Sequence, residues 1–273
     1  MSKIEEAELL MPAVNLAIEA GERILKIYST NFNVDYKDDN SPLTAADLAS
    51  HECLATGLAK LAGGFPILSE ESAEIPFGQR RLWETYWLID PLDGTKEFIK
   101  RNGEFTVNIA LIHKHKPVLG VVYAPVPKVC YFSVAGSGAY KMTGHDNPVQ
   151  IFARTQAAQP PVVVGSRSHQ TQELKDYLLR LGACELKSVG SSLKFCLVAE
   201  GEADLYPRLG LTSEWDTAAA QCIVESAGGR VVNLRGEPLL YNTKQSLLNP
   251  FFLVYGDESR DWLSFAAKIS TSP

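Results

Sequence analysis

Residues 87–95 read Trp-Leu-Ile-Asp-Pro-Leu-Asp-Gly-Thr, an order that few backbones can accommodate. The apolar run at 86–89 is short and has the character of a buried strand. Pro91 and Gly94 oppose its continuation, so the strand is expected to end at Asp90. Asp90 and Asp93 then leave the strand end together on a tight turn. Gly94 allows a ligand close to the backbone, and Thr95 adds a hydroxyl beside both acids. Two like charges about 4 Å apart repel by roughly 4 kcal/mol at an effective dielectric of 20. A hard divalent ion with oxygen ligands relieves that repulsion.

Around this stretch the chain reads as two lobes. Residues 4–29 carry Leu9, Ala13, Val14, Ala17, Ile24 and Leu25 at helical spacing. The polar face of this helix is not rich in lysine, which favours packing on a core over lying on a membrane. A short strand is expected at 34–37, a polar turn at 38–42, and a helix from 44 to about 61, stopped by Gly63 and Gly64. Asp47 stands three residues after Thr44, the spacing of a capping box. A strand at 65–68 leads into Ser69-Glu70-Glu71-Ser72, and 96–103 reads as a turn.

Strands at 105–112, 117–123, 129–134 and 139–142 form an antiparallel meander. Gly136 and Gly138 suit hairpin turns, since no helix follows to complete a phosphate-cradling loop. From about 155 the rhythm changes. Strands at 161–164, 186–189, 203–206, 231–232 and 251–255 alternate with helices at 168–181, 192–200, 214–227 and 259–269. The expected organisation is an α+β lobe over 1–154 and an α/β lobe over 155–273, joined in one compact unit.

Charge and cysteine content narrow the function class. A net charge of −6 with no basic stripe argues against a nucleic-acid surface. The cysteines at 53, 130, 184, 196 and 222 include no Cys-x-x-Cys pair, which points to reduced thiols in a cytosolic protein. No apolar run approaches the roughly 20 residues of a membrane span. The N-terminus lacks a basic region followed by an apolar core, so no signal peptide is expected. A cytoplasmic globule is the expectation.

Two further acids stand out. Glu70 alone reads as a solvated surface acid, and Asp216, in Glu-Trp-Asp-Thr at a helix start, reads alone as an N-cap. Together with Asp90 and Asp93 they say more, because each follows a strand or opens a helix. Such ends are where α/β architectures place their sites.

Three ordered motifs carry a family resemblance that spans nearly the whole chain. Asp90-Pro91-Leu92-Asp93-Gly94-Thr95, Trp215-Asp216-Thr217-Ala218-Ala219 with Gly228-Gly229, and Glu70-Glu71-Ser72 resemble the signatures of the inositol monophosphatase superfamily. These are lithium-sensitive, magnesium-dependent phosphomonoesterases. The resemblance implies a layered αβαβα sandwich of the inositol monophosphatase and fructose-1,6-bisphosphatase type. It implies that Glu70, Asp90, Asp93 and Asp216, with the Leu92 carbonyl, hold two or three Mg²⁺ ions. Asp47 and Thr95 match the pair that orients or deprotonates the attacking water, with Glu70 also counted as catalytic. Asp47 is thus expected to serve both as cap and as catalytic acid.

Substrate choice falls to the second half. Arg167, His169, Lys194 and Arg208 are cationic candidates for a second phosphate. His169, Ser191, Lys194 and Arg208 line up with positions that hold nucleoside and 5'-phosphate in adenosine bisphosphate phosphatases. Glu70, Leu92, Asp93, Gly94, Thr95 and Asp216 would meet the scissile phosphate. The segment 92–98 and the run from Tyr206 through Ala219 look like the bacterial bisphosphate nucleotidases of sulfur assimilation. That branch removes the 3'-phosphate of adenosine 3',5'-bisphosphate. The 3'-phosphoadenylyl sulfate ester, inositol phosphates and sugar bisphosphates stay open as substrates. A nucleotide-binding module without turnover is the non-enzymatic alternative. The partner is a small nucleotide bisphosphate, with no nucleic acid and no integral membrane segment. Monomer and homodimer are both open, as is peripheral association with the inner membrane.

Overall fold

The structure is a computed structural model that describes residues 3–36, 42–165, 171–267 and 269. In chain order it runs α1 (Lys3–Tyr28), β1 (Val34–Tyr36), β2 (Pro42–Thr44), α2 (Ala45–Leu58), β3 (Ile67–Ser69), α3 (Phe77–Arg80) and β4 (Thr85–Asp93). Then come α4 (Thr95–Ile99), β5 (Thr106–His113), β6 (Lys116–Ala124), β7 (Val129–Val134), β8 (Ala139–Thr143) and β9 (Val149–Ile151). The remainder is β10 (Val162–Gly165), α5 (Gln172–Leu181), β11 (Glu185–Ser188), α6 (Leu193–Ala199), β12 (Leu205–Arg208), α7 (Ala218–Ser226), β13 (Arg230–Asn233) and β14 (Phe252–Tyr255). Short 3-10 turns cover Glu70–Ser72, Glu214–Asp216 and Leu263–Ala266.

Strands β3 to β9 form one seven-stranded sheet in sequence order, and only β3 and β4 run parallel. The second sheet has the order β11-β10-β12-β14-β13, with β11, β10 and β12 parallel. Side chains alternate across each strand, so each sheet needs a cover on both faces. On β4, Trp87 and Ile89 pack beneath α1 and α2, while Tyr86 and Leu88 face α6 and α7. On β10, Val162 and Val164 meet that same helical layer, and Val163 turns to α5 and Trp262. The layers are therefore helix, sheet, helix, sheet, helix, and one apolar cluster joins both sheets through α6 and α7. Gly120 permits the close approach of α7 to β6: a Cβ there would lie 2.2 Å from the Ala219 carbonyl oxygen.

Several expectations need correction. β4 does not stop at Asp90 but runs on to Asp93. Its register with β5 shifts between Asp90 and Asp93, so Pro91 sits in a bulge where the ladder does not require its N–H. Residues 95–99 form α4 and not a turn, because Gly94 at φ 94° starts a helix whose Phe98 packs against Tyr28, Phe32 and Phe105. The short strands β2 and β9 carry too few residues for a periodic signal. The C-terminal helix contracts to the turn Leu263–Ala266, and the helix expected from 168 is described from Gln172. Among the described residues no helix is long and apolar enough to cross a membrane.

Candidate active site

The site lies where β4 leaves the large sheet and meets the starts of α6 and the Glu214–Asp216 turn. Asp90 is 1% exposed, and its Oδ1 accepts the Leu92 N–H at 3.0 Å, bending the chain back on itself. From α2, the buried Ser50 hydroxyl donates to the Pro91 carbonyl at 2.6 Å and anchors the same turn. Because Ser69 pairs beside Ile89 in the parallel β3–β4 ladder, the next residue, Glu70, arrives beside Asp90. One carboxylate oxygen each of Asp90, Asp93 and Asp216 lies within 4.8 Å of the others. All three belong to a cavity of about 330 Å³ that also holds Glu70, Leu92, Gly94 and Thr95.

Two of the acids are oriented by the same local device. Asp47 is the third residue of α2 and accepts the Thr44 N–H and hydroxyl on Oδ2, both at 2.7 Å. Asp216 accepts the Ser213 N–H on Oδ2 at 3.0 Å, so it closes a capping box and is not an N-cap itself. Capping and function are compatible because a carboxylate has two oxygens. The free side of Asp47, Oδ1, accepts the Thr95 hydroxyl at 3.2 Å.

Burial and mutual repulsion shift these groups strongly. Asp90 is pushed well above the usual carboxyl range by burial, then by Glu70, Asp93 and Asp216. Asp216 is pushed up to about 8 by burial, then by Asp93 and Glu70. Burial also raises Asp47, against the hydrogen bonds from Thr44. Crowded oxygen ligands without sulfur or imidazole suit a hard divalent cation, whose charge would compensate the repulsion. The donor set fits such an ion.

Cations line the same cavity. Lys194 is buried, its ammonium donating to the Ser191 carbonyl at 2.6 Å and lying 5.5 Å from the Tyr206 ring centroid. Burial pulls its pKa down to about 8, against the attraction of Asp93. Arg208 donates to the Thr212 hydroxyl and the Leu211 carbonyl. Ser191 lines the cavity with both. Arg167 and His169 lie outside the described residues.

Other residues at the site were not anticipated. Ser192, Asn108 and Thr106 are buried and hydrogen-bonded to Asp93 or to one another. The exposed Lys96 lines the cavity beside Thr95. Thr106 and Asn108 did leave a signal, since two polar residues share one face of an otherwise apolar strand.

Known proteins resemble this chain closely. The model of the inositol monophosphatase family matches residues 5–262. The 3'(2'),5'-bisphosphate nucleotidase CysQ of Salmonella typhimurium is 50% identical over 248 residues, covering 90% of this chain and 99% of that protein. CysQ of Haemophilus influenzae is 39% identical, with 94% and 96% covered. Among solved structures, CysQ from Bacteroides thetaiotaomicron superposes with a TM-score of 0.80 at 47% identity, covering 91% of this chain and 97% of that one. The inositol monophosphatase of Anabaena shares the fold, with a TM-score of 0.74 at 22% identity and 97% of each chain covered.

Proposed function

We propose a function from one premise: the chain belongs to the inositol monophosphatase family. It is a 3'(2'),5'-bisphosphate nucleotidase that hydrolyses the 3'-phosphate of adenosine 3',5'-bisphosphate to AMP and phosphate. Its place is in the sulfur metabolism of the cytoplasm, where 3'-phosphoadenylyl sulfate is a second substrate of the same chemistry. The observation that carries this reading is the composition of the cavity, which the acids share with the cations Lys194 and Arg208. The acids serve one phosphate, and the cations serve another. The naming of relatives at 50% identity supports the nucleotide over an inositol phosphate.

Glu70, Asp90, Asp93, Asp216 and the Leu92 carbonyl would hold two Mg²⁺ ions. When bound, Mg²⁺ lowers the pKa of a water and neutralises charge on the phosphate oxygens. The protein's own proton path runs through Thr95 and Asp47. The Thr95 hydroxyl donates to Asp47 Oδ1, so its lone pair points away from that bond and can accept from a water. A proton passing from water to Thr95 Oγ1 displaces the threonine proton to Asp47. Burial raises Asp47, which favours its taking that proton. Residues 1–154 thus supply most of the metal and water machinery. Residues 155–273 supply Asp216 and the groups that choose the substrate, with Ser191, Lys194, Arg208 and His169 assigned to the nucleoside and 5'-phosphate.

A phosphate-release panel with Mg²⁺ tests the reading. A higher kcat/KM for adenosine 3',5'-bisphosphate than for inositol 1-phosphate is expected, with no release in chelator. The reverse preference overturns the substrate assignment, and full activity in chelator overturns the metal assignment.

A further inference from the structure

Asp93 differs from the other acids of the cluster in what holds it. Asp90 and Asp216 are oriented by backbone N–H groups within their own turns. Asp93 is held by side chains from elsewhere. The Ser192 hydroxyl donates to its Oδ2 at 2.7 Å, and the Asn108 amide donates to the same oxygen at 3.3 Å. Asn108 also donates to Ser192 Oγ at 2.9 Å, and its own Oδ1 accepts the Thr106 hydroxyl at 3.0 Å. Ser192 and Asn108 are each 1% exposed, so a partner lost from this network leaves a buried polar atom unpaired. Ser192 Oγ also lies 2.8 Å from the Asp216 carbonyl oxygen. A hydroxyl has one proton, and a carboxylate is the stronger acceptor, so the bond to Asp93 dominates.

Ser192 sits at the start of α6, immediately after Ser191 and two residues before Lys194. Its neighbour Ser191 has φ 47°, a left-handed backbone that a serine adopts only when its surroundings hold it there. The Lys194 ammonium donates to the Ser191 carbonyl and closes the loop. One short path of bonds therefore runs from a substrate-side cation to a metal-side carboxylate across the two halves of the fold.

We propose that Ser192 is a positioning residue: it turns Asp93 so that Oδ2 is satisfied by protein and Oδ1 is presented to a cation, and it ties that orientation to the loop bearing Ser191 and Lys194. The proposal rests on the metal assignment above but not on the identity of the nucleotide. Partners that orient metal ligands in this way change affinity by about 10–100-fold when removed.

The test is Mn²⁺ binding to the chelator-treated full chain without nucleotide, read by electron paramagnetic resonance and by the fluorescence of Trp215, which lines the cavity. Ser192→Ala should raise the Mn²⁺ Kd about tenfold or more, whereas Ser191→Ala on the same loop should leave it within twofold. Activity of Ser192→Ala should need a correspondingly higher Mg²⁺ concentration and recover most of its kcat at saturation. A folded Ser192→Ala protein with the wild-type Mn²⁺ Kd overturns the proposal. So does an equal loss in Ser191→Ala. If Ser192→Ala does not fold, Ser192→Cys keeps the volume with a weak donor and carries the same expectation and the same refutation. Because no nucleotide is present, failure here leaves the substrate assignment untouched. Failure of the phosphate-release panel leaves the Mn²⁺ result standing.

Discussion

In the metal-free protein, Asp216→Asn should raise stability at pH 8 while removing much of the response to Mg²⁺. Three carboxylate oxygens within 4.8 Å repel by about 3.5 kcal/mol per ionised pair at an effective dielectric of 20. Burial first, and then this repulsion from Asp93 and Glu70, makes the protein hold a proton and raises Asp216 from 3.8 to about 8. A folded pKa raised above the unfolded one means that stability is full below the unfolded value and is lost as pH rises through the window between them. Keeping Asp216 protonated at pH 7 costs up to about 4 kcal/mol at 1.36 kcal/mol per unit. Asp216 is only half-buried and opens on the cavity, so water screens part of this, and about 2 kcal/mol is the working figure. At roughly 2 °C per kcal/mol for a chain of this size, that is about 4 °C in Tm. The asparagine keeps an oxygen for the Ser213 N–H, so the capping bond survives.

The assay is thermal unfolding in chelator at pH 5 and pH 8, repeated with Mg²⁺. Wild type should lose Tm from pH 5 to pH 8, and Asp216→Asn should lose less and exceed it at pH 8. Mg²⁺ at about 100 times its Kd should add about 2.7 kcal/mol to wild type, and much less to the variant. A variant less stable than wild type at pH 8, with an unchanged pH slope, would refute the burial and crowding of Asp216 as the origin of the instability.

Three other expectations are direct. Thr95→Val should lower kcat by about 10²–10⁴-fold while leaving the Mg²⁺-induced Tm shift in place, since the proposed proton route needs this hydroxyl and the proposed ligand set does not include it. Steady-state kinetics and a thermal-shift titration read the two halves. Lys194→Met should raise KM for the bisphosphate about 10–100-fold and change a monophosphate ester far less, as a lost charge-assisted bond predicts. Because the Lys194 pKa is drawn down to about 8, its positive charge fades as pH rises through that value, so the bisphosphate KM of wild type should climb above pH 8. Gly120→Ala drives a methyl into the Ala219 carbonyl and should cost about 1–3 kcal/mol, a Tm loss of a few degrees in chelator and Mg²⁺ alike.

Much of the site could be read before any coordinate. The Thr44–Asp47 cap and the turn at Asp90 are set by hydrogen bonds between residues two or three apart. Such bonds depend on spacing, which a sequence displays directly. The end of β4 was misread for the opposite reason. Whether Pro91 terminates a strand depends on whether its partner strand asks for an N–H, and β5 shifts register at that point.

By itself the sequence determined the alternating faces of the strands and the placing of carboxylates at the ends of strands and the starts of helices, while the proton route proposed for Asp47 and Thr95 came from the family resemblance of its motifs. Only the tertiary structure decided that Ser192 holds Asp93 and that one helical layer serves both sheets. Local bonds follow from which residues are neighbours along the backbone. These longer ones follow from burying two sheet faces against the same pair of helices, and no spacing in the chain records where that brings a hydroxyl.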